Sequence, residues 1–131
     1  MTVVRELLRN EGIRVNQANK YGETPLYVAC QQGHVEVANA LLSAKGVDVN
    51  QATKMGTTPT CAAAYLGRVD VVRRLLCVEG VDVNTADKHG DSPLSGAMKN
   101  GCEEIVQMLK EAGAKAVIFP QLSSHRVAQS Q

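Results

Sequence analysis

Shifted against itself by 34 residues, the chain keeps meeting its own pattern. Gly12, Gly46 and Gly80 fall in register, as do Val15-Asn16, Val49-Asn50 and Val83-Asn84, then Gly22, Gly56 and Gly90, and finally Pro25, Pro59 and Pro93. A fixed period of this length means that one supersecondary unit recurs, and it decides the architecture before any local reading does. The copies run GETPLYVACQQGHVEVANALLSAKGVDVN from Gly22 to Asn50, GTTPTCAAAYLGRVDVVRRLLCVEGVDVN from Gly56 to Asn84, and GDSPLSGAMKNGCEEIVQMLKEAGA from Gly90 to Ala114.

Each copy opens a helix with Thr24, Thr58 or Ser92, whose hydroxyl can accept from a free backbone N–H, followed by proline at the first helical position. Gly33, Gly67 or Gly101 then closes it in the left-handed conformation, so the first helix is short. The second helix places Val37-Ala38 with Leu41-Leu42, Val71-Val72 with Leu75-Leu76, and Ile105-Val106 with Leu109 on one face. Two helices of this size cannot bury such a stripe alone, and neighbouring copies must stack around a shared core. Of the residues 44% are apolar and 3% aromatic, so that core is filled by Leu, Val, Ala, Cys and Met. The result is an all-α solenoid of stacked helix-turn-helix units. Between units, segments such as Gly46 to Gly56 alternate apolar Val47 and Val49 with polar Asp48 and Asn50 before a turn-rich tip, which reads as a projecting, hairpin-like arm.

The stretch TPLYVA from Thr24 to Ala29, followed by Gly33-His34, resembles the signature of the ankyrin repeat family, and three consecutive units from Gly12 to Ala114 share the pattern. Tetratricopeptide repeats have the same period but not the repeated Thr-Pro and Val-Asn pairs. The histidine after Thr-Pro-Leu in the family is Tyr27, Cys61 and Ser95 here, and Thr60 replaces the leucine of the middle unit, so some hydrogen bonds between units are expected to be missing. Gly96 inside the third first helix costs roughly 1 kcal/mol relative to alanine and makes that unit the softer one.

On this reading residues 1–114 form the repeat domain, with a partial repeat over 1–18, full repeats over about 19–52 and 53–86, and a cap over 87–114. Lys110 stands where Leu42 and Leu76 stand, and Glu103 where Val35 and Val69 stand, so the last unit faces water. Residues 2–12 match the second helix of a unit without its first. That unfinished edge is expected of a fragment, a truncated product, or a protein that covers Val4, Leu7 and Leu8 with a partner. In the tail over 115–131, Val117, Ile118 and Phe119 are expected to pack on the cap, with disorder from Pro120 onward.

The family resemblance implies a partner-binding face of arm tips and exposed sides of first helices. Carried over by position, it comprises Lys20, Tyr21, Glu23, Gln31 and Gln32, then Lys54, Met55, Thr57, Tyr65 and Leu66, then Lys88, His89, Asp91, Lys99 and Asn100. Tyr21, Met55, Tyr65 and Leu66 are the anchor candidates, because large apolar groups on polar surfaces carry binding energy; the bland alternative is that Tyr65 and Leu66 pack on the next unit. Lys20, Lys54 and Lys88 align along the stack, either as a row for an acidic partner or as solvated turn residues. The resemblance also implies that arm asparagines can be hydroxylated. Asn50 and Asn84 each follow Val-Asp-Val, with a leucine eight residues upstream.

Other function classes find no support. The formal net charge is +1, from 14 basic and 13 acidic side chains, which provides no field for nucleic acid or an anionic membrane. No run approaches the roughly 18 apolar residues of a membrane span. The N-terminus lacks a signal-peptide pattern, and a cytoplasmic or nuclear location follows. Cys30, Cys61, Cys77 and Cys102 form no CxxC pair; Cys30 and Cys61 read as reduced, buried small hydrophobes, and Cys102, following a helix-ending glycine, reads either as a reactive thiol near a helix N-terminus or, with no basic partner in view, as a plain surface cysteine. Neither phosphate-binding glycine motif occurs, and the histidines His34, His89 and His125 lack zinc-ligand spacing, so no cofactor, metal or catalytic residue is expected. His34 reads as bonding locally at its turn. The sequence thus describes a non-catalytic module binding a protein of unknown identity, monomeric unless its N-terminal edge pairs. The alternative is an architectural piece of a longer array, or the regulatory repeats of a larger enzyme, without binding activity of its own.

Overall fold

The computed structural model describes residues 14–113. The expectations for Val4, Leu7 and Leu8, for the partial repeat up to residue 13, and for the tail from Ala114 through Val117, Ile118 and Phe119 lie outside them. Six helices follow in chain order: α1 Pro25–Gln32, α2 Val35–Leu42, α3 Pro59–Tyr65, α4 Val69–Leu75, α5 Pro93–Lys99 and α6 Glu103–Glu111.

Each first helix starts as its sequence dictates. The Tyr27 and Cys61 N–H groups donate to Thr24 and Thr58 Oγ1 at 3.1 Å. In α5 the bond is reciprocal: Ser95 N–H donates to Ser92 Oγ at 3.2 Å while Ser92 N–H donates to Ser95 Oγ at 2.8 Å. Proline occupies the first turn in all three, where its missing N–H costs nothing. Gly33 ends α1 in the left-handed region; Gly67 and Gly101 do so one residue beyond the caps Leu66 and Asn100. His34 bonds at its turn through the backbone, its N–H donating to the Ala29 carbonyl at 2.9 Å and its carbonyl accepting from Ala38 at 2.9 Å.

First helices α1, α3 and α5 pack side by side in one row, and second helices α2, α4 and α6 in another. The core lies between the rows, with Leu26, Cys30, Ala64 and Leu94 from the first meeting Leu41, Val72, Leu75, Ile105 and Leu109 from the second. Each fully buried Leu or Ile here contributes about 1.5–3 kcal/mol relative to exposure. The first row is the closer-packed: a Cβ on Gly96 would sit 3.3 Å from the Cβ of Tyr65. The glycine that weakens α5 as an isolated helix is therefore what lets α3 approach it. At the cap, Glu103 and Lys110 are exposed where Val35, Val69, Leu42 and Leu76 are half-buried.

Thr60 occupies the position of Leu26 and Leu94, fully buried, and its Oγ1 has no hydrogen-bond partner among the described residues. The substituted histidine positions behave differently from one another. The Cys61 thiol donates to the Asp91 carbonyl of the next unit at 3.3 Å, whereas the Ser95 hydroxyl turns back onto Ser92 within its own unit.

No strand forms among the described residues; the arms are built from one repeated turn. Asn19 Oδ1 accepts the Tyr21 and Glu23 N–H groups, Thr53 Oγ1 those of Met55 and Thr57, and Asp87 Oδ1 those of His89 and Asp91. At the base of the arms a side-chain amide spans units. Asn16 Nδ2 donates to the Gly46 carbonyl and its Oδ1 accepts from Asp48 N–H, both at 2.7 Å. Asn50 repeats both bonds to Gly80 and Asp82 at 2.8 Å.

Candidate functional site

The arms stand over the row of first helices, and the angle between them leaves a cleft of about 420 Å³ that runs from the end of α1, across α3, to α5. Its floor is nearly bare backbone, because Ala62 and Gly96 present almost no side chain. Tyr27, Cys61, Tyr65 and Leu66 form apolar walls, Gln31 and Lys99 come from the ends of α1 and α5, and Thr57, Asp87, His89 and Asp91 come from the arms. Tyr65 packs its Cβ on Gly96 yet leaves 50% of its surface open, and Leu66 leaves 39%. The base of Tyr65 packs on the next unit while half of its surface remains open.

Polar groups at the rim are paired with one another. Lys99 Nζ lies 2.6 Å from Asp91 Oδ1, and that hydrogen bond, reinforced by charge attraction, raises the lysine pKa. Tyr27 is raised as well, first by burial and then by the charge of Glu23. Burial, with the carboxylates of Asp87 and Asp91 adding to it, pushes the Cys61 thiol up to about 12. A thiol so raised stays protonated at neutral pH and is a poor nucleophile. Among the described residues no three histidine, cysteine or acidic side chains gather to hold a metal, and no helix is long and apolar enough to cross a membrane.

Seven of the positions expected on the binding face meet in this cleft: Gln31, Thr57, Tyr65, Leu66, His89, Asp91 and Lys99. Lys20, Tyr21, Lys54, Met55 and Lys88 lie instead on the exposed arm tips, where Tyr21 and Met55 are 59% and 47% exposed. Glu23 accepts from Asn19 Nδ2 at 3.0 Å and faces the N-terminal edge. Gln32 lies beside Val35 and Arg68, away from the cleft. Asn100 closes the end of α3 by donating from Nδ2 to the Tyr65 carbonyl at 2.7 Å, as Arg68 Nε closes α1 through the Gln31 carbonyl at 3.0 Å. Sequence reasoning missed Tyr27, Cys61 and Asp87 as cleft residues. The signal was present in their positions, the first two replacing the family histidine and the third recurring at the step of Asn19 and Thr53.

A family model for ankyrin repeats in three copies matches residues 45–119, and a second, for ankyrin repeats in many copies, matches residues 7–60. The chain belongs to the ankyrin repeat family. No curated protein matches it. Ankyrin repeats are in general protein–protein interaction modules, typically non-catalytic. In this ankyrin domain the paired rows of helices supply the rigid backing, and the arms supply a rim whose polar groups are already oriented.

Proposed function

We propose that this ankyrin repeat domain, taken over residues 1–114, is a non-catalytic recognition module that docks a protein partner on its concave face. The observation that carries the reading is the cleft: side chains from all three units converge on a space of about 420 Å³ whose walls leave Tyr65 and Leu66 half-open. Large, rigid, partly exposed apolar groups beside fixed polar ones are the composition of interface hot spots. Because the arms are held by internal hydrogen bonds, little ordering entropy is lost when a partner binds.

The test is capture of a partner by the full chain beside a Tyr65→Ala/Leu66→Ala variant, with circular dichroism and thermal melts confirming that both fold. A partner retained by the parent and lost by the variant supports docking in the cleft. Equal recovery, or recovery by neither, sinks it.

A further inference from the structure

The arm tips carry a feature the cleft leaves unused. Lys20, Lys54 and Lys88 stand at the same place on three consecutive arms, all exposed. Among the described residues none of the three has a carboxylate within ion-pair distance, whereas Lys99 and Arg73 each do. Lys20 Nζ lies over the Tyr21 ring, 5.2 Å from its centroid, a contact that holds the ammonium without neutralising it.

The tips are also fixed relative to one another. Lys54 N–H donates to the Tyr21 carbonyl at 3.1 Å and Lys88 N–H to the Met55 carbonyl at 3.0 Å, which ties each arm to the one before it. Each arm rises from one unit of the stack, so successive lysines are spaced as the units beneath them are. Packed helices stand about 8–10 Å apart, which sets that step.

We propose that this lysine row binds an acidic segment of a protein partner, lying along the row in the polyproline II conformation with a carboxylate at every third residue. That conformation has three residues per turn and a rise of about 3.1 Å, so every third side chain points the same way at steps of about 9.3 Å. A β-strand turns every third side chain to the opposite face. An α-helix needs seven residues per step and rotates about 20° off the row with each. A nucleic acid or an anionic membrane presents unbroken negative charge, and a formal net charge of +1 supplies no broad field to hold it. A segment charged only at every third residue meets the lysines alone. The inference rests on the reading of this domain as a protein-binding module and adds the chemistry that meets the tips.

The experiment uses fluorescein-labelled peptides and the full chain, read by fluorescence anisotropy at about 20 mM salt, where exposed charges are little screened. The probe is four repeats of Glu-Pro-Pro; one control has the same composition with its four glutamates adjacent, another has glutamine for glutamate, and a third ligand is single-stranded RNA. The spaced acidic peptide should bind at least about threefold more tightly than the block peptide and lose affinity with salt. The Lys54→Glu variant, exchanging attraction for repulsion at the middle of the row, should weaken it about tenfold, and Lys54→Gln by less. Equal binding of the two acidic peptides, undiminished binding by Lys54→Glu, tighter binding of RNA, or no binding at about 1 mM peptide overturns the proposal. The Tyr65→Ala/Leu66→Ala variant should bind the peptide as the parent does. Loss of a captured partner in that variant with no peptide binding by the parent would refute the row alone, leaving the cleft reading intact.

Discussion

Thr60 and Leu26 hold the same place in successive units, and Thr60 brings to it a buried hydroxyl with nothing to bond to among the described residues. A buried unsatisfied polar group costs about 1–3 kcal/mol, and replacing it by an apolar group of the same shape recovers that cost. Thr60→Val should therefore stabilise the domain by about 1 kcal/mol, seen as a rise of about 4–8 °C in melting temperature for a unit of this size. An unchanged or lowered melting temperature would mean that the hydroxyl has a partner. Gly22 makes the opposite case, because two constraints coincide there. Its φ is 81°, and a Cβ would stand 2.7 Å from the backbone nitrogen of Lys54, the group that ties the second arm to the first. Gly90 has nearly the same φ, 84°, with open space around it. Gly90→Ala should cost only the conformational penalty of about 1–2 kcal/mol, and Gly22→Ala clearly more, in urea titrations of the two variants. Equal costs would show that the tie between arms contributes nothing.

At the scale of the element, the arm is stitched at its base by Asn50, whose amide donates to Gly80 and accepts from Asp82 of the next unit. Asn50→Ala removes both bonds at a partly solvated site. At about 0.5–1.5 kcal/mol for each bond, the loss should be about 1–3 kcal/mol by chemical denaturation. The same bonds bear on the proposed hydroxylation of this residue. With both ends of the amide committed, a hydroxylase needs the arm opened, so mass spectrometry should find less added oxygen on the folded domain than on a peptide spanning Val47 to Gly56. Equal modification of the two would remove the protective role of the ladder. The helices and their caps were legible because their signals are local: a hydroxyl, a proline at the first helical position, a glycine at the end. The stitching by Asn16 and Asn50 was visible only as a repeated Val-Asn pair, since its partners lie about one unit away. The cleft was legible in seven of its twelve positions for the same reason. Arm residues such as His89 and Asp91 follow the family pattern, while Tyr27 and Cys61 depart from it and become walls only when the units stack.

For the whole molecule the question is whether units coupled only to their neighbours open together. Two cysteines answer it, because Cys30 lies in the first full unit and Cys61 in the second, both buried. Burial pushes each thiol from its ordinary 9.0 up to about 12. A group whose folded pKa is raised contributes stability that is complete below its unfolded pKa and is lost as pH rises through the folded one. The domain should hold its stability up to about pH 9 and lose it progressively between pH 9 and 12. A Cys30→Ala/Cys61→Ala variant should show a shallower alkaline slope. Below that window both thiols are protonated and buried, Cys30 in the core and Cys61 with 3% of its surface exposed at the cleft wall, so labelling by a thiol reagent at neutral pH has to wait for opening, while the exposed Cys77 reacts at once. The lattice of Asn16, Asn50, Arg68 and Asn100 across the unit boundaries favours a single opening. Cys30 and Cys61 should then label at the same rate, with the same urea dependence as global unfolding. Faster labelling of Cys30 with a weaker urea dependence would show that the first full unit, whose Val28 is exposed where Ala62 and Gly96 are buried, opens on its own.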